Sequence, residues 1–313
     1  MPLLEFILFI AAFAVLYESS RHVLNSSIKL SQMFGITEMA AGFIIIAGAT
    51  SLPDFMVSVT AASIGRSAIS LGDVLGSTIA NIALVLGVAS LIRNVYIKRE
   101  QTLESAELLL FITLAPLLFI LTGAITYREG TVLLLLFFIY VLFILKGRLP
   151  IAAHAARNKR VLFPELTVFI AMMVIVFASS HFVVEYGIQI AQALNVPDAI
   201  IGMTFIAFGT TLPELAVDFR AIRTGKVALA VGDIFGSCVI NLTLVLGASA
   251  VISPITNGFL EIFIPPLVFL LALSSFLWYV LMKHEAVKKE HGLLLLIFYV
   301  LWLVFELTGY RVV

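Results

Sequence analysis

Two short polar interruptions carry the chemistry in an otherwise apolar sequence: Gly48-Ala-Thr-Ser-Leu-Pro-Asp54 and Phe208-Gly-Thr-Thr-Leu-Pro-Glu214. A proline inside a helix removes one backbone hydrogen bond and clashes with the carbonyl about one turn back. The expectation is free carbonyls near Ala47 and Thr50, and near Ala207 and Thr210, each close to a carboxylate. Downstream of each break, Asp73, Ser77 and Asn81, and then Asp233, Ser237 and Asn241, recur at intervals of four and share one helical face. The ligand set assembled this way is Thr50, Ser51, Asp54, Ser77 and Asn81 with Thr210, Thr211, Glu214, Ser237 and Asn241, plus the carbonyls of Ala47 and Ala207. Every donor atom is oxygen. Hard cations suit such a set: calcium takes about 6–8 oxygens, whereas zinc and copper prefer nitrogen and sulfur. The two acids that follow the prolines, Asp54 and Glu214, balance one divalent ion or two monovalent ones, so different ions can compete for the same charges.

The elements that position these residues belong in lipid. Of 313 residues, 61% are hydrophobic and 12% charged, and mean hydropathy is +1.12. A soluble domain carries about 25% charged residues, twice what is available here. Zero net charge removes a nucleic-acid partner, and a single cysteine excludes an internal disulfide, a Cys-based zinc site or an iron–sulfur cluster. Runs of about 20 apolar residues predict ten membrane spans, near 3–24, 37–64, 69–92, 106–123, 131–147, 162–191, 199–221, 228–252, 259–281 and 292–309. The first is expected to be a mature span, since Glu5 stands where a signal peptide has basic residues. With the loop between spans five and six placed in the cytoplasm, fourteen Lys and Arg fall on inner loops and three (Arg66, Arg128 and Arg311) on outer ones. This bias predicts a multi-pass cell-membrane protein with both termini outside.

Sliding the chain by 160 aligns 42–87 with 202–247 without a gap, with 19 of 46 positions identical, including Pro53/Pro213, Asp73/Asp233, Ser77/Ser237 and Asn81/Asn241. An odd number of spans separates the copies, so the second enters the membrane from the opposite side. The fold class is therefore an all-α polytopic membrane protein, ten helices in two inverted five-helix repeats, 1–147 and 162–313, joined by a basic cytoplasmic hinge at 148–161. Secondary transporters commonly have this layout, with a midplane site at the repeat interface.

At these motifs the sequence resembles the alpha repeats of the sodium/calcium exchanger family, within the cation/calcium antiporter superfamily. That resemblance spans the ten-helix layout and implies an antiporter, not an enzyme, which exchanges sodium for calcium by alternating access and needs no cofactor. Its expected partners are calcium and sodium ions and the lipid bilayer, and a monomer suffices. By resemblance, Asp54 and Glu214 are the central acids, with Thr50 and Thr210 offering carbonyls to calcium. Ser51, Ser77, Thr211 and Ser237, with the Ala47 and Ala207 carbonyls, line flanking sodium sites; Asn81 and Asn241 lie in the middle. The first and sixth helices are expected to slide past the rest. This chain departs from the family pattern in three places: Asp54 replaces the usual glutamate, Asn241 stands where some members have an acid, and Asp73 and Asp233 replace asparagine before the Gly-Ser pairs.

Asp73 and Asp233 are expected to cap the starts of spans three and eight, and Asp218 to pair with Arg220 or Arg223 at the inner mouth. Glu18, Glu185 and Glu306 lack counterparts at the repeat offset and read as interfacial or helix-pairing groups; His154, His181, His284 and His291 show no metal spacing. Two other functions fit parts of the pattern. One is calcium/proton or magnesium exchange on the same fold; the other, more remote, is an intramembrane aspartyl protease built on the Gly-Asp aspartates.

Overall fold

The computed structural model describes residues 2–34, 41–96, 99–121, 123–148, 159–194, 198–255 and 260–309. Residues 149–158, most of the basic hinge, lie outside this set. The described residues form ten helical rods. The first half comprises α1 (Pro2–Phe34), α2 (Ala41–Ile46, Ala47–Thr50 and Leu52–Ser63), α3 (Ser67–Ile79, Ala80–Val85 and Leu86–Ile92), α4 (Arg99–Leu121) and α5 (Tyr127–Arg148). The second comprises α6 (Lys159–Leu194), α7 (Asp198–Ile201, Gly202–Ile206 and Ala207–Arg223), α8 (Val227–Ile240, Asn241–Val245 and Leu246–Ile252), α9 (Leu260–His284) and α10 (Lys289–Gly309).

Apolar faces dictate the layering. α3 and α8 are apolar nearly all round, and their most apolar windows are 78% and 83% buried, against 28% for α10. They form the centre of the bundle. Lipid takes the outer faces, where large side chains such as Phe111, Phe138, Ile139, Leu301 and Phe305 are exposed. The halves exchange partners symmetrically. α2 packs on α8 and α7 on α3; α5 covers the end of α8 while α10 covers the end of α3; α4 packs on α9, and α1 on α6.

Loop contacts show that the repeats are inverted. β1 (Val95–Tyr96), after α3, pairs antiparallel with β2 (Ala286–Val287), after α9. On the opposite face Ile125, after α4, bridges Ile255, after α8. The related helices α3 and α8 thus end on opposite faces. At the second face the Ser67 hydroxyl, opening α3, lies 2.7 Å from that of Ser253, closing α8.

Close approach of the central helices depends on glycine. A Cβ at Gly76 would lie 2.2 Å from the Met203 carbonyl of α7, and one at Gly202 would lie 2.4 Å from the Ile69 carbonyl of α3. Small residues at such crossings let backbones meet without steric loss. Gly76→Ala forces α3 and α7 apart and is expected to cost about 1–3 kcal/mol, read as a lower apparent Tm of the detergent-purified protein. An unchanged Tm would contradict this packing.

Candidate ion-binding site

In α2 the helix opens with a wide π-helical stretch, Ala41–Ile46, runs as α-helix through Ala47–Thr50, breaks at Ser51 (φ −77°, ψ 1°) and restarts at Leu52. Pro53 therefore occupies the first turn of a new helix, where its missing N–H costs nothing. α7 repeats the π stretch at Gly202–Ile206 but runs continuously over Ala207–Arg223 with Pro213 inside. Two more π stretches, Ala80–Val85 and Asn241–Val245, carry Asn81 and Asn241. Single π turns concentrate at functional sites because they widen the helix and redirect its side chains. Nothing in residue spacing signals them.

All twelve residues of the expected ligand set are buried, none above 1% exposure. One chain of contacts crosses the repeats. The Ser77 hydroxyl donates to Asp54 Oδ1 at 2.7 Å and lies 3.3 Å from the Thr210 hydroxyl. The mirror contact sets Thr50 and Ser237 hydroxyls 3.4 Å apart. Glu214 has no mirror of the Asp54 bond: both of its carboxylate oxygens lack a donor, as do Asp54 Oδ2, the Ser51 hydroxyl and the amide groups of Asn81 and Asn241. Buried polar atoms without partners are rare in folded proteins, and here they gather around the two proline segments, of which that in α2 is broken and that in α7 is continuous.

The two alanine carbonyls differ from expectation. That of Ala47 accepts the Ser51 N–H at 2.9 Å, and that of Ala207 accepts the Thr211 hydroxyl at 2.7 Å. The Ala47 carbonyl also accepts the Thr50 hydroxyl at 3.3 Å and the Ala207 carbonyl the Thr210 hydroxyl at 3.1 Å, so neither is left free by its proline. Thr211 thereby uses its hydroxyl within its own turn, unlike its counterpart Ser51. Ser51 also borders an apolar cavity of about 230 Å³ lined by Phe43, Phe55, Tyr140 and Ile240.

Asp73 and Asp233 do not cap helices. α3 begins at Ser67 and α8 at Val227, so each aspartate lies two turns inside. Asp73 accepts hydrogen bonds from Ser58 at 2.8 Å and from Thr210 at 3.3 Å. Asp233 accepts from Thr50 at 2.9 Å and from Ser237 at 3.4 Å. Each threonine of one half is thus held by an aspartate of the other. Asp218 is not a mouth residue either: it is fully buried within hydrogen-bonding reach of Asp233. Arg223 is exposed, its guanidinium over the Phe219 ring. The repeat offset could have revealed Asp73 and Asp233, which match each other as closely as Ser77 and Ser237 do. Asp218 breaks the repeat, its counterpart being Ser58, so symmetry concealed it.

Of the unmatched acids, Glu18 is exposed beside Arg21 (3.6 Å), and Glu185 is exposed beside His181 (3.9 Å), as expected for surface groups. Glu306 instead is buried and has no hydrogen-bond donor. Among the described residues no three His, Cys, Asp or Glu side chains gather as a metal cluster. The unpartnered atoms near the proline segments are carboxylate, hydroxyl and amide groups, whose oxygens are of the kind that hard ions take.

A lipid-embedded bundle of inverted repeats, with unpartnered oxygens where its proline-containing helices cross, is a secondary transporter of cations. The family model described as sodium/calcium exchanger protein matches residues 4–146 and 165–308. The chain belongs to that family, and it is a multi-pass membrane cation/calcium antiporter, not an enzyme. It is 32% identical to the putative antiporter CaxA of Alkalimonas amylolytica over 77% of this chain and 78% of that one. With the sodium/calcium exchanger MaX1 of Methanosarcina acetivorans the figures are 26% identity over 96% and 97%. Among solved structures, the sodium-calcium exchanger NCX_Mj soaked with 10 mM Na+ and zero Ca2+ superposes with TM-score 0.74 at 25% identity, covering 97% of this chain and 99% of that one. Family membership removes the protease reading. The Gly-Asp aspartates it would have paired bind threonines of opposite halves instead.

Because Asp73 and Asp233 orient the threonines beside the site, Asp73→Asn and Asp233→Asn are expected to lower calcium flux about 10–100-fold, the usual effect of losing an outer-shell partner. Flux into proteoliposomes measures this; wild-type rates from folded variants would show that the threonines need no such support.

Proposed function

We propose that the chain exchanges sodium for calcium across the cell membrane, the two ions competing for one midplane site by alternating access. The observation that carries this reading is the set of donor-less buried oxygens of Asp54, Glu214, Ser51, Asn81 and Asn241 around the two repeat-related proline segments. In this proposal Asp54 and Glu214, with the Thr50 and Thr210 carbonyls, hold calcium. Ser51, Ser77, Thr211 and Ser237, with the carbonyls of Ala47 and Ala207, hold sodium, and Asn81 and Asn241 lie between. The two halves, 1–147 and 162–313, act as inverted repeats around this site, joined by the hinge 148–161. No cofactor takes part, and a monomer contains the whole path.

Orientation follows from charge. Arg93, Lys283, Lys288 and Lys289 adjoin the face where β1 meets β2, and Arg93 reaches to within 3.5 Å of the Cβ position at Gly225, bringing the Arg223 to Lys226 loop to the same face. Arg66 and Arg128 adjoin the other. The basic face is assigned to the cytoplasm, which puts both termini outside.

Alternating access is supported by the way α1 and α6 are seated. They pack along one another and meet α2 and α7 through a separate apolar cluster that includes Phe9, Leu16, Val57, Val176, Val183 and Ile206. Apolar contact is non-directional and tolerates sliding better than hydrogen bonding does. At the contact, the Phe13 ring of α1 covers Gly209 of the second polar break, and a Cβ there would lie 2.0 Å from it.

The primary test is calcium uptake into proteoliposomes under an outward sodium gradient, compared with an outward proton gradient. Sodium is expected to drive uptake; uptake driven by protons alone would replace sodium as the coupling ion. Asp54→Asn and Glu214→Gln should each abolish uptake while the purified protein stays folded, and normal flux in either would remove the central-site assignment. Gly209→Ala should reduce maximal exchange rate several-fold with little change in the calcium concentration at half-maximal rate. A change confined to that concentration would argue against a moving α1.

A further inference from the structure

The two halves treat one position differently. In the first half Ser58 donates to Asp73 Oδ2 at 2.8 Å, so a hydroxyl satisfies the carboxylate. At the equivalent position of the second half stands Asp218, an acid within hydrogen-bonding reach of another acid, Asp233. Thr50 and Ser237 use Asp233 Oδ1. Asp233 Oδ2 and both oxygens of Asp218 have no donor, and both side chains are fully buried. Among the described residues no Lys, Arg or His is buried anywhere in the molecule.

Two neighbouring buried carboxyl groups without donors need a positive charge between them or a shared proton. The central site supplies neither. Its own acids, Asp54 and Glu214, already match one divalent ion, so the charge of Asp218 and Asp233 is additional. Their place in the fold is also distinct. Asp218 lies one turn beyond Glu214 toward Arg223, and Asp233 lies one turn before Ser237 on the side of Lys226. The pair is therefore displaced from the midplane toward the basic face.

We infer that Asp218 and Asp233 form a second cation site, specific to the second half, which takes a hard cation between the central site and the basic face. Two facing carboxylates match the charge of a calcium ion, with Asp233 fixed in place by the Thr50 and Ser237 hydroxyls. An ion held here is one step from the centre along α7 and α8, so the site serves as a staging post for ions exchanging with the basic face. The first half, with Ser58 in place of the acid, has no such post. This inference stands apart from the sodium/calcium assignment, because it concerns binding and not the coupling ion.

Equilibrium dialysis of the purified full-length protein against radioactive calcium, and separately against radioactive sodium, tests it. Asp218→Ser, which reproduces the Ser58 pairing of the first half, and the isosteric Asp218→Asn should each bind one calcium ion fewer per chain than wild type. Glu214→Gln should lose a different calcium ion, so that combining it with Asp218→Ser removes both. Both Asp218 variants should also show a smaller calcium-dependent rise in Tm, since a ligand stabilises the folded state it binds. A loss of sodium instead of calcium would keep the site and change its ion. Unchanged calcium and sodium stoichiometry in both Asp218 variants would overturn the proposal and leave a proton shared between the two acids. Failure of Glu214→Gln alone to lose calcium would instead count against the central site.

Discussion

Buried acid without a buried base is the constraint on which the rest of the structure depends. Asp54, Asp73, Glu214, Asp218 and Asp233 are all fully buried around the crossing of α2, α3, α7 and α8, and no buried base accompanies them among the described residues. An ionised carboxylate removed from water without a partner is costly enough that structural proteins avoid it. Soluble domains solve the problem with a fixed arginine or lysine. Among its described residues this bundle holds no such buried base, so any positive charge that meets these acids comes from outside the fold.

Holding such acids in place requires that their remaining lone pairs be arranged by the protein, and the inverted repeat does so by crossing over. Thr50 of the first half is held by Asp233 of the second, and Thr210 of the second by Asp73 of the first. Neither half can complete its share of the site alone. The π stretches that precede Ala47 and Ala207 and contain Asn81 and Asn241 place the polar faces of four helices toward one point. Hydrogen bonds between the halves tie the centre into one unit. α1 and α6 pack on each other, with Lys29 and Glu165 2.5 Å apart, and meet the centre through apolar side chains.

Fold class was legible from the sequence because lipid imposes long apolar runs and duplication leaves a constant offset; ten rods and their inversion follow from those two signals. The acids after Pro53 and Pro213 were legible because a carboxylate in an apolar span is conspicuous. What escaped was anything set by helix starts or by contact between distant helices. Asp73 and Asp233 resembled caps although they lay four and five residues inside the hydropathy spans; with α3 starting at Ser67 and α8 at Val227 they lie nearly two turns inside. Asp218 was assigned to a surface arginine because sequence shows that Arg220 and Arg223 are near in the chain, but not that Asp233 is nearer in space. The π stretches leave no compositional trace, and the Ala47 and Ala207 carbonyls were expected to be free when local donors in fact reach them.

The departures from two-fold symmetry bear on direction. In an inverted repeat with identical halves, the conformations open to the two sides would be images of one another and equal in energy. Here the halves differ at several buried polar positions around the crossing of α2, α3, α7 and α8. Asp54 is short and tied to Ser77, whereas Glu214 is longer and untied; Ser51 keeps a free hydroxyl, whereas Thr211 donates its own to Ala207; Ser58 satisfies Asp73, whereas Asp218 confronts Asp233. Each difference makes an ion interact unequally with the two halves, and only such differential interaction can bias one conformation over the other. The surplus of unsatisfied carboxylate lies on the α7 and α8 side, toward the basic face. At the matching place on the opposite side a single aspartate, Asp73, is bonded to Ser58. The same duplication that builds the site thus leaves its two entrances chemically unlike.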